Sequence, residues 1–244
     1  MANLPNNNFT TNTLSLHAGY EYDRQRTLSV PIYQSTAYSF ENAEQAAARF
    51  SLEELGNIYS RLTNPTVDML AKRIAAVEGG AFGVATASGS SAVFYSLVNL
   101  AQNGDNIAYS NKIYGGSQTL LVHVLKRFGI EGRVFDIDNL SSLEKIIDDK
   151  TKAIFFESLS NPQIAIADVE TITNIAKKHK IVTICDNTVA TPILFRPFDF
   201  GVDVSVHSLT KYINGHGSGL GGAVIEREGL NELIKDNSRY PAFN

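Results

Sequence analysis

Lys211 closes the run Val206-His207-Ser208-Leu209-Thr210-Lys211, directly after a strand-like stretch and directly before Asn214-Gly215-His216-Gly217. Two nearby hydroxyls and a glycine-rich turn predict a half-buried amine, shifted toward its neutral form and aimed. Upstream, a second apolar run, Ile181-Val182-Thr183-Ile184-Cys185, ends in Asp186-Asn187. A shielded amine and a fixed carboxylate at the ends of two strands suit one cofactor in particular, pyridoxal phosphate (PLP). The lysine would hold it as a Schiff base, and the aspartate would pair with its pyridine nitrogen. A carboxylate there keeps the ring protonated, so the ring can draw electrons from a substrate carbanion.

Such a pair must be carried by ordered elements, and the chain supplies them in alternation. Strand-like runs fall at Gly83–Ala87, Asn106–Tyr109, Arg133–Ile137, Ala153–Phe156, Ile181–Cys185, Val202–Val206 and Gly222–Ile225. Helical segments are predicted between most of them, at Ser91–Ala101, Gln118–Phe128, Leu140–Asp148 and Val169–Lys178. Ahead of these, Asn64 as N-cap and Pro65 in the first turn open a helix that Gly79-Gly80 ends. The pattern predicts an α/β fold of three layers, a mostly parallel sheet with helices on both faces. Residues 1–60 lack a clean period and read as an N-terminal arm with one short helix near Glu44–Phe50. Residues 61–244 read as the cofactor-binding domain.

In doubly wound sheets, ligands bind beyond the carboxyl ends of the strands. Ser88-Gly89-Ser90-Ser91, Tyr114-Gly115-Gly116, Glu157 through Pro162, Asp186-Asn187-Thr188 and Ser208 through Lys211 all follow a strand run. Ser88-Gly89-Ser90-Ser91 leads into a helix whose free N–H groups and dipole form an anion site, with Gly89 allowing close approach. Ser208 and Thr210 could add hydroxyl donors. Tyr114 is placed to lay its ring on the cofactor or exchange a proton, and Asn161 to donate to the ring's phenolic oxygen. Each piece alone also reads as turn or cap chemistry; their convergence on one sheet edge carries the argument.

Composition bounds the alternatives. A net charge of −4 and no Lys/Arg-rich stripe argue against a nucleic-acid partner. The single cysteine excludes an internal disulfide framework and any cysteine-based zinc site. No apolar stretch is long enough for a membrane span, and the Asn-rich start is no signal peptide, so a soluble, cytoplasmic protein is expected. Neither a P-loop nor a Rossmann glycine motif in the right order is present.

The chain resembles the Cys/Met-metabolism (transsulfuration) family of PLP-dependent enzymes. The resemblance runs in family order through Val30-Pro31-Ile32-Tyr33-Gln34-Ser35-Thr36, Tyr59-Ser60-Arg61 with Asn64-Pro65-Thr66, Ser88-Gly89, Tyr114-Gly115-Gly116, Glu157-Ser158, Ser160-Asn161-Pro162, Asp186-Asn187-Thr188 and Ser208-Leu209-Thr210-Lys211. It implies that Lys211 is the Schiff-base lysine and general base, Asp186 the ring-nitrogen partner, and Tyr114 the stacking tyrosine. Gly89, Ser90, Ser208 and Thr210 match phosphate-binding positions; Glu157, Asn161 and Thr188 are expected to line the same cofactor pocket. Tyr59 and Arg61 match a pair that reaches the phosphate of a neighbouring subunit's cofactor, which implies a homotetramer built from active-site-sharing dimers.

Within the family, His216-Gly217 followed by Gly221-Gly222 is closer to the O-acetylhomoserine sulfhydrylases than to the lyases. The implied reaction is γ-replacement: O-acetylhomoserine loses acetate from Cγ, and sulfide or a thiol takes its place, giving homocysteine or methionine. A cystathionine or methionine lyase of the same family is the alternative, as is a PLP-binding fragment without efficient turnover; an unrelated nucleotide-binding α/β protein is a third. Two departures stand out. Ser90-Ser91 occupy positions where relatives carry apolar or alanine residues. The chain also ends at Asn244, before the smaller C-terminal domain that in relatives carries the arginine for the substrate's α-carboxylate.

Overall fold

Thr151–Glu157 forms a strand buried at every position, and its alternating residues feed two different cores. Ala153 and Phe155 join one cluster, while Ile154 and Phe156 join the other. A strand apolar on both faces requires cover on both sides. It is β4 of seven strands, the others being β1 (Phe82–Thr86), β2 (Asn106–Ser110), β3 (Glu131–Phe135), β5 (Val182–Asp186), β6 (Val204–Ser208) and β7 (Gly222–Glu226).

The coordinates are a computed structural model describing residues 9–235 and 237–240. The Asn-rich start and the Pro241–Asn244 end discussed above lie outside the described residues. Two compact units are distinguished, Met1–Arg73 and Ile74–Asn244.

The larger unit holds one sheet in the order β1-β7-β6-β5-β4-β2-β3. Pairings from β3 through β6 are parallel, while β7 runs antiparallel to both β6 and β1. The mostly parallel sheet is therefore as predicted. Its antiparallel strand follows from the connection: 209–221 contains no crossover helix, so the chain turns back beside β6.

On one face, α4 (Gly89–Val98) and the segment after α5 (Gly115–Thr119) bury Ala92, Val93, Leu97, Leu121 and Leu125 against Val182, Ile184, Val204 and Val206. On the other, α6 (Ser141–Ile146) and α7 (Val169–His179) bury Leu143, Ile172 and Ala176 against Cys185. Residues Ile74 and Ala75 of α3 (Pro65–Glu78) pack on Leu209, Ala223 and Ile225.

Several local readings need correction. The single helix expected over Gln118–Phe128 is divided into the end of α5, a π turn at Leu120–Val124 and a 3-10 turn at Leu125–Phe128. Its apolar period survives because Leu121 and Leu125 both remain fully buried. The expected Leu140–Asp148 helix shortens to α6. Three helices went unpredicted: α1 (Thr11–His17), α8 (Thr191–Leu194) and α9 (Leu230–Ile234). At four to seven residues they are too short for an apolar period to be read.

The smaller unit contains α1, α2 (Ala43–Phe50) and the start of α3. Asn64 caps α3 as predicted, its Oδ1 accepting from the amides of Thr66 and Val67 at 3.0 and 3.4 Å. The same side chain donates to Tyr33 O, Tyr38 Oη and Ser60 Oγ, which ties the irregular chain around it. At its far end α3 stops at Gly79, whose φ of 85° few other residues adopt readily.

Candidate active site

Side chains alternate across a strand, so Glu157, Asp186 and Ser208 continue the face occupied by Phe155, Ile184 and Val206. Glu157 and Asp186 are register partners at the carboxyl ends of β4 and β5. Ser208 ends β6 on the same edge. The parallel ladder thus brings three predicted residues together from segments far apart in sequence.

The amino end of α4 meets them there. Ser88 caps the helix by accepting from the Ser91 amide at 3.1 Å. That leaves the amides of Gly89 and Ser90, which no carbonyl of the helix can reach. A Cβ on Gly89 would stand 2.5 Å from Cβ of Ser208 and 2.7 Å from its Cα, so only glycine permits this approach. Gly222 is equally confined, its missing Cβ lying 2.2 Å from the Ser88 carbonyl. Two close backbone approaches therefore build a cradle of free amides and hydroxyls suited to a phosphate. Ser90, on the first turn, is exposed.

Thr188 locks the edge. Its Oγ1 accepts from the Ser208 amide at 2.8 Å, and its own amide donates to Asp186 Oδ1 at 3.0 Å. Asp186 is half-buried; burial raises its pKa, opposed by the two Thr188 hydrogen bonds and the charge of His207. A carboxylate at this strand end is an acceptor that suits a protonated ring nitrogen.

Glu157 is buried, and both of its oxygens are engaged by backbone. Oε1 accepts from the Tyr114 amide at 2.6 Å and Oε2 from the Asn161 amide at 2.9 Å. Burial and then the Asp186 charge push its pKa up to about 7, against the pull of those two amides. Its observed work is to hold the amides of Tyr114 and Asn161, both of them exposed. The Tyr114 ring lies across Gly116, where an added Cβ would come within 2.4 Å of Tyr114 Cε1.

Thr210 exchanges hydrogen bonds with the backbone of Gly221, donating to its carbonyl at 3.2 Å and accepting from its amide at 3.1 Å. The two ends of the loop between β6 and β7 are thereby pinned together. Lys211 itself is exposed, not half-buried as expected. It stands in the turn past the last residue of β6, where no strand neighbour covers it. Tyr59 and Arg61 belong to the smaller unit; Tyr59 bridges to Ala37, and the Arg61 guanidinium lies 5.8 Å from the Tyr59 ring centroid.

Behind the site is a cluster that sequence reasoning missed. Glu78, fully buried at the end of α3, accepts from Ser205 Oγ at 2.6 Å and from Asn187 Nδ2 at 3.1 Å, and its Oε2 lies 3.0 Å from His207 Nε2. Glu78 follows a run of helical periodicity and reads there as a solvated helix end; only its adjacency to Gly79-Gly80 hinted at anything else.

The family model described as Cys/Met metabolism PLP-dependent enzyme matches residues 12–239. An O-acetyl-L-homoserine sulfhydrylase of Corynebacterium glutamicum is 46% identical over 235 residues, which is 95% of this chain and 54% of that protein. An L-methionine gamma-lyase of Fusobacterium nucleatum is 39% identical over 91% of this chain and 57% of its own length. Among solved structures, a candidate O-acetylhomoserine (thiol)-lyase of Campylobacter jejuni, carrying N'-pyridoxyl-lysine-5'-monophosphate, superposes with a TM-score of 0.95. It is 70% identical over 97% of this chain and 58% of that one. The chain spans a little over half the length of these relatives. By the extent of the match and the site it assembles, the chain belongs to the Cys/Met metabolism family of PLP-dependent enzymes.

Proposed function

We propose that this chain carries the cofactor-binding part of a PLP-dependent transferase that performs γ-replacement on O-acetylhomoserine, with sulfide or a thiol as the incoming group. The observation that carries the reading is the single edge on which Glu157, Asp186, Ser208 and the α4 terminus meet, with Lys211 in the next turn. These residues fit the cofactor. Gly89, Ser90 and Ser208 would hold the phosphate with Thr210 from the following turn, Asp186 would offer an acceptor for the ring nitrogen, and Asn161 would donate to the phenolic oxygen. When bound, PLP supplies an electron sink for charge developing at the substrate's α-carbon.

The protein's own part is positional and acid–base. Tyr114, its amide held by Glu157, would lay its ring against the cofactor face. Lys211 would hold the cofactor through its amine and would move protons at the substrate's Cα and Cβ. Its exposure leaves that amine free to swing between both tasks. Relatives named as O-acetyl-L-homoserine sulfhydrylase and homocysteine synthase support the choice of substrate. The reading includes a cytoplasmic homotetramer of active-site-sharing dimers, in which Tyr59 and Arg61 reach the neighbouring subunit's phosphate. Arginine suits that task because its planar fork binds phosphate oxygens in pairs.

Titration with PLP, followed by borohydride reduction and peptide mass analysis, tests the cofactor site; the mark is expected on Lys211. Homocysteine formed from O-acetylhomoserine and sulfide tests the reaction. The methionine gamma-lyase relative favours a second reading. Ammonia and a keto acid released from methionine without added sulfide would select it instead.

A further inference from the structure

Strand alternation separates the site from a second constellation directly behind it. Glu157, Asp186 and Ser208 face the α4 side of the sheet, and their chain neighbours Ser158, Asn187 and His207 face the opposite side. Those three back-face residues are joined. Ser158 Oγ donates to Asn187 Oδ1 at 2.7 Å, Asn187 Nδ2 donates to Glu78 Oε1 at 3.1 Å, and Glu78 Oε2 meets His207 Nε2 at 3.0 Å. Ser205, two residues before His207 on the same face, adds a 2.6 Å hydrogen bond to Glu78 Oε1. All five side chains are buried, and Glu78, His207, Ser205 and Asn187 have no exposed surface.

Burying a carboxylate so completely is expensive unless every lone pair is used and a cation is near. Here a helix end delivers the carboxylate to the strand ends, where three donors await it. The donors belong to β6 and to the residue following β5. His207 Nδ1 is buried without a hydrogen-bond partner among the described residues, so the ring is held through Nε2. The titratable groups around this point are Glu78, Asp186, Glu157, His207 and the Cys185 thiol, which puts His207 as the basic member among three carboxylates.

We propose that Glu78 is a positioning residue for the cofactor pocket: acting through Asn187, His207 and Ser205, it fixes the ends of β5 and β6 so that Asp186 and Ser208 are presented in register. A clamp on the back face constrains the front-face residue next to each gripped one, because adjacent strand residues share a peptide plane. The inference rests on the PLP reading of the front face.

The test compares the wild-type chain, Glu78→Gln and Ser205→Ala by PLP titration, by the pH profile of the bound cofactor's visible absorbance, and by thermal unfolding without cofactor. Glu78→Gln keeps the side chain's size but loses its charge and one acceptor. It should weaken PLP binding about tenfold or more and move the absorbance midpoint by about half a pH unit. Ser205→Ala removes one donor and should weaken binding about threefold. If Glu78→Gln does not fold, Ser205→Ala decides: weakened binding supports the inference, and wild-type binding overturns it. A lowered melting temperature with PLP affinity and pH profile unmoved would mean a role in folding alone and would also overturn it. A wild-type chain that takes up no PLP defeats the front-face reading itself, which separates that failure from this one.

Discussion

Glu157 and Asp186 stand side by side on adjacent parallel strands, and the folded chain cannot ionise both cheaply. Burial holds Glu157 near 7 against an ordinary value of 4.5. Between those values the folded chain keeps a proton that the unfolded chain has released, so stability falls as pH rises through the window. Asp186, raised for the same reason, acts in the same direction. Denaturant unfolding without cofactor should lose on the order of 3 kcal/mol between about pH 5 and about pH 8. Glu157→Gln should remove most of that difference; an unchanged slope would refute the assignment. At Lys211 the expected outcome is simpler. Lys211→Ala should leave unfolding unchanged, because the side chain is exposed, while abolishing any borohydride-fixed cofactor.

Glycines at the ends of elements make opposite predictions according to what a methyl group would strike. At Gly89 it would meet backbone and Cβ of Ser208, neither of which can move without shifting α4 against β6. Gly89→Ala should cost about 1–3 kcal/mol in unfolding free energy and weaken PLP binding as well. At Gly116 it would meet only the far end of the Tyr114 ring. Gly116→Ala should therefore change the melting temperature little but alter the absorbance of bound PLP, because the ring must swing away. Equal effects of the two substitutions on stability would contradict this reading of the loops.

At the scale of the molecule, the last described residues fasten the base of the sheet. Tyr240 is buried, its hydroxyl donating to the Lys152 carbonyl at 2.6 Å and accepting from the Val182 amide at 2.8 Å. Lys152, itself buried, pairs with Asp105 and donates to the Arg239 carbonyl. Tyr240→Phe should strand two buried backbone groups and cost about 2 kcal/mol or more, read as a lowered denaturation midpoint. Subunit sharing has its own test. Chains bearing Arg61→Ala and chains bearing Lys211→Ala, mixed and refolded together, should recover activity that neither has alone if Tyr59 and Arg61 serve a neighbour's site.

The sequence by itself determined the parts that depend on local order. Alternating apolar runs and helical periods predicted the seven strands to within a few residues; in β2 and β4, buried at every position, cover on two faces forces apolar residues into consecutive positions. Turn residues after those runs pointed to Gly89, Tyr114, Glu157, Asp186 and Lys211, because ligands in such sheets gather at the carboxyl ends. What only the tertiary structure decided depends on pairing across distance. The register that sets Glu157 against Asp186 has no local signature, nor does the engagement of Glu157 with two backbone amides. The exposure of Lys211 follows from where the sheet stops, which hydropathy alone does not tell. Glu78 is the clearest case: a charged residue ending an amphipathic helix reads as solvated until the fold lays Asn187, Ser205 and His207 around it.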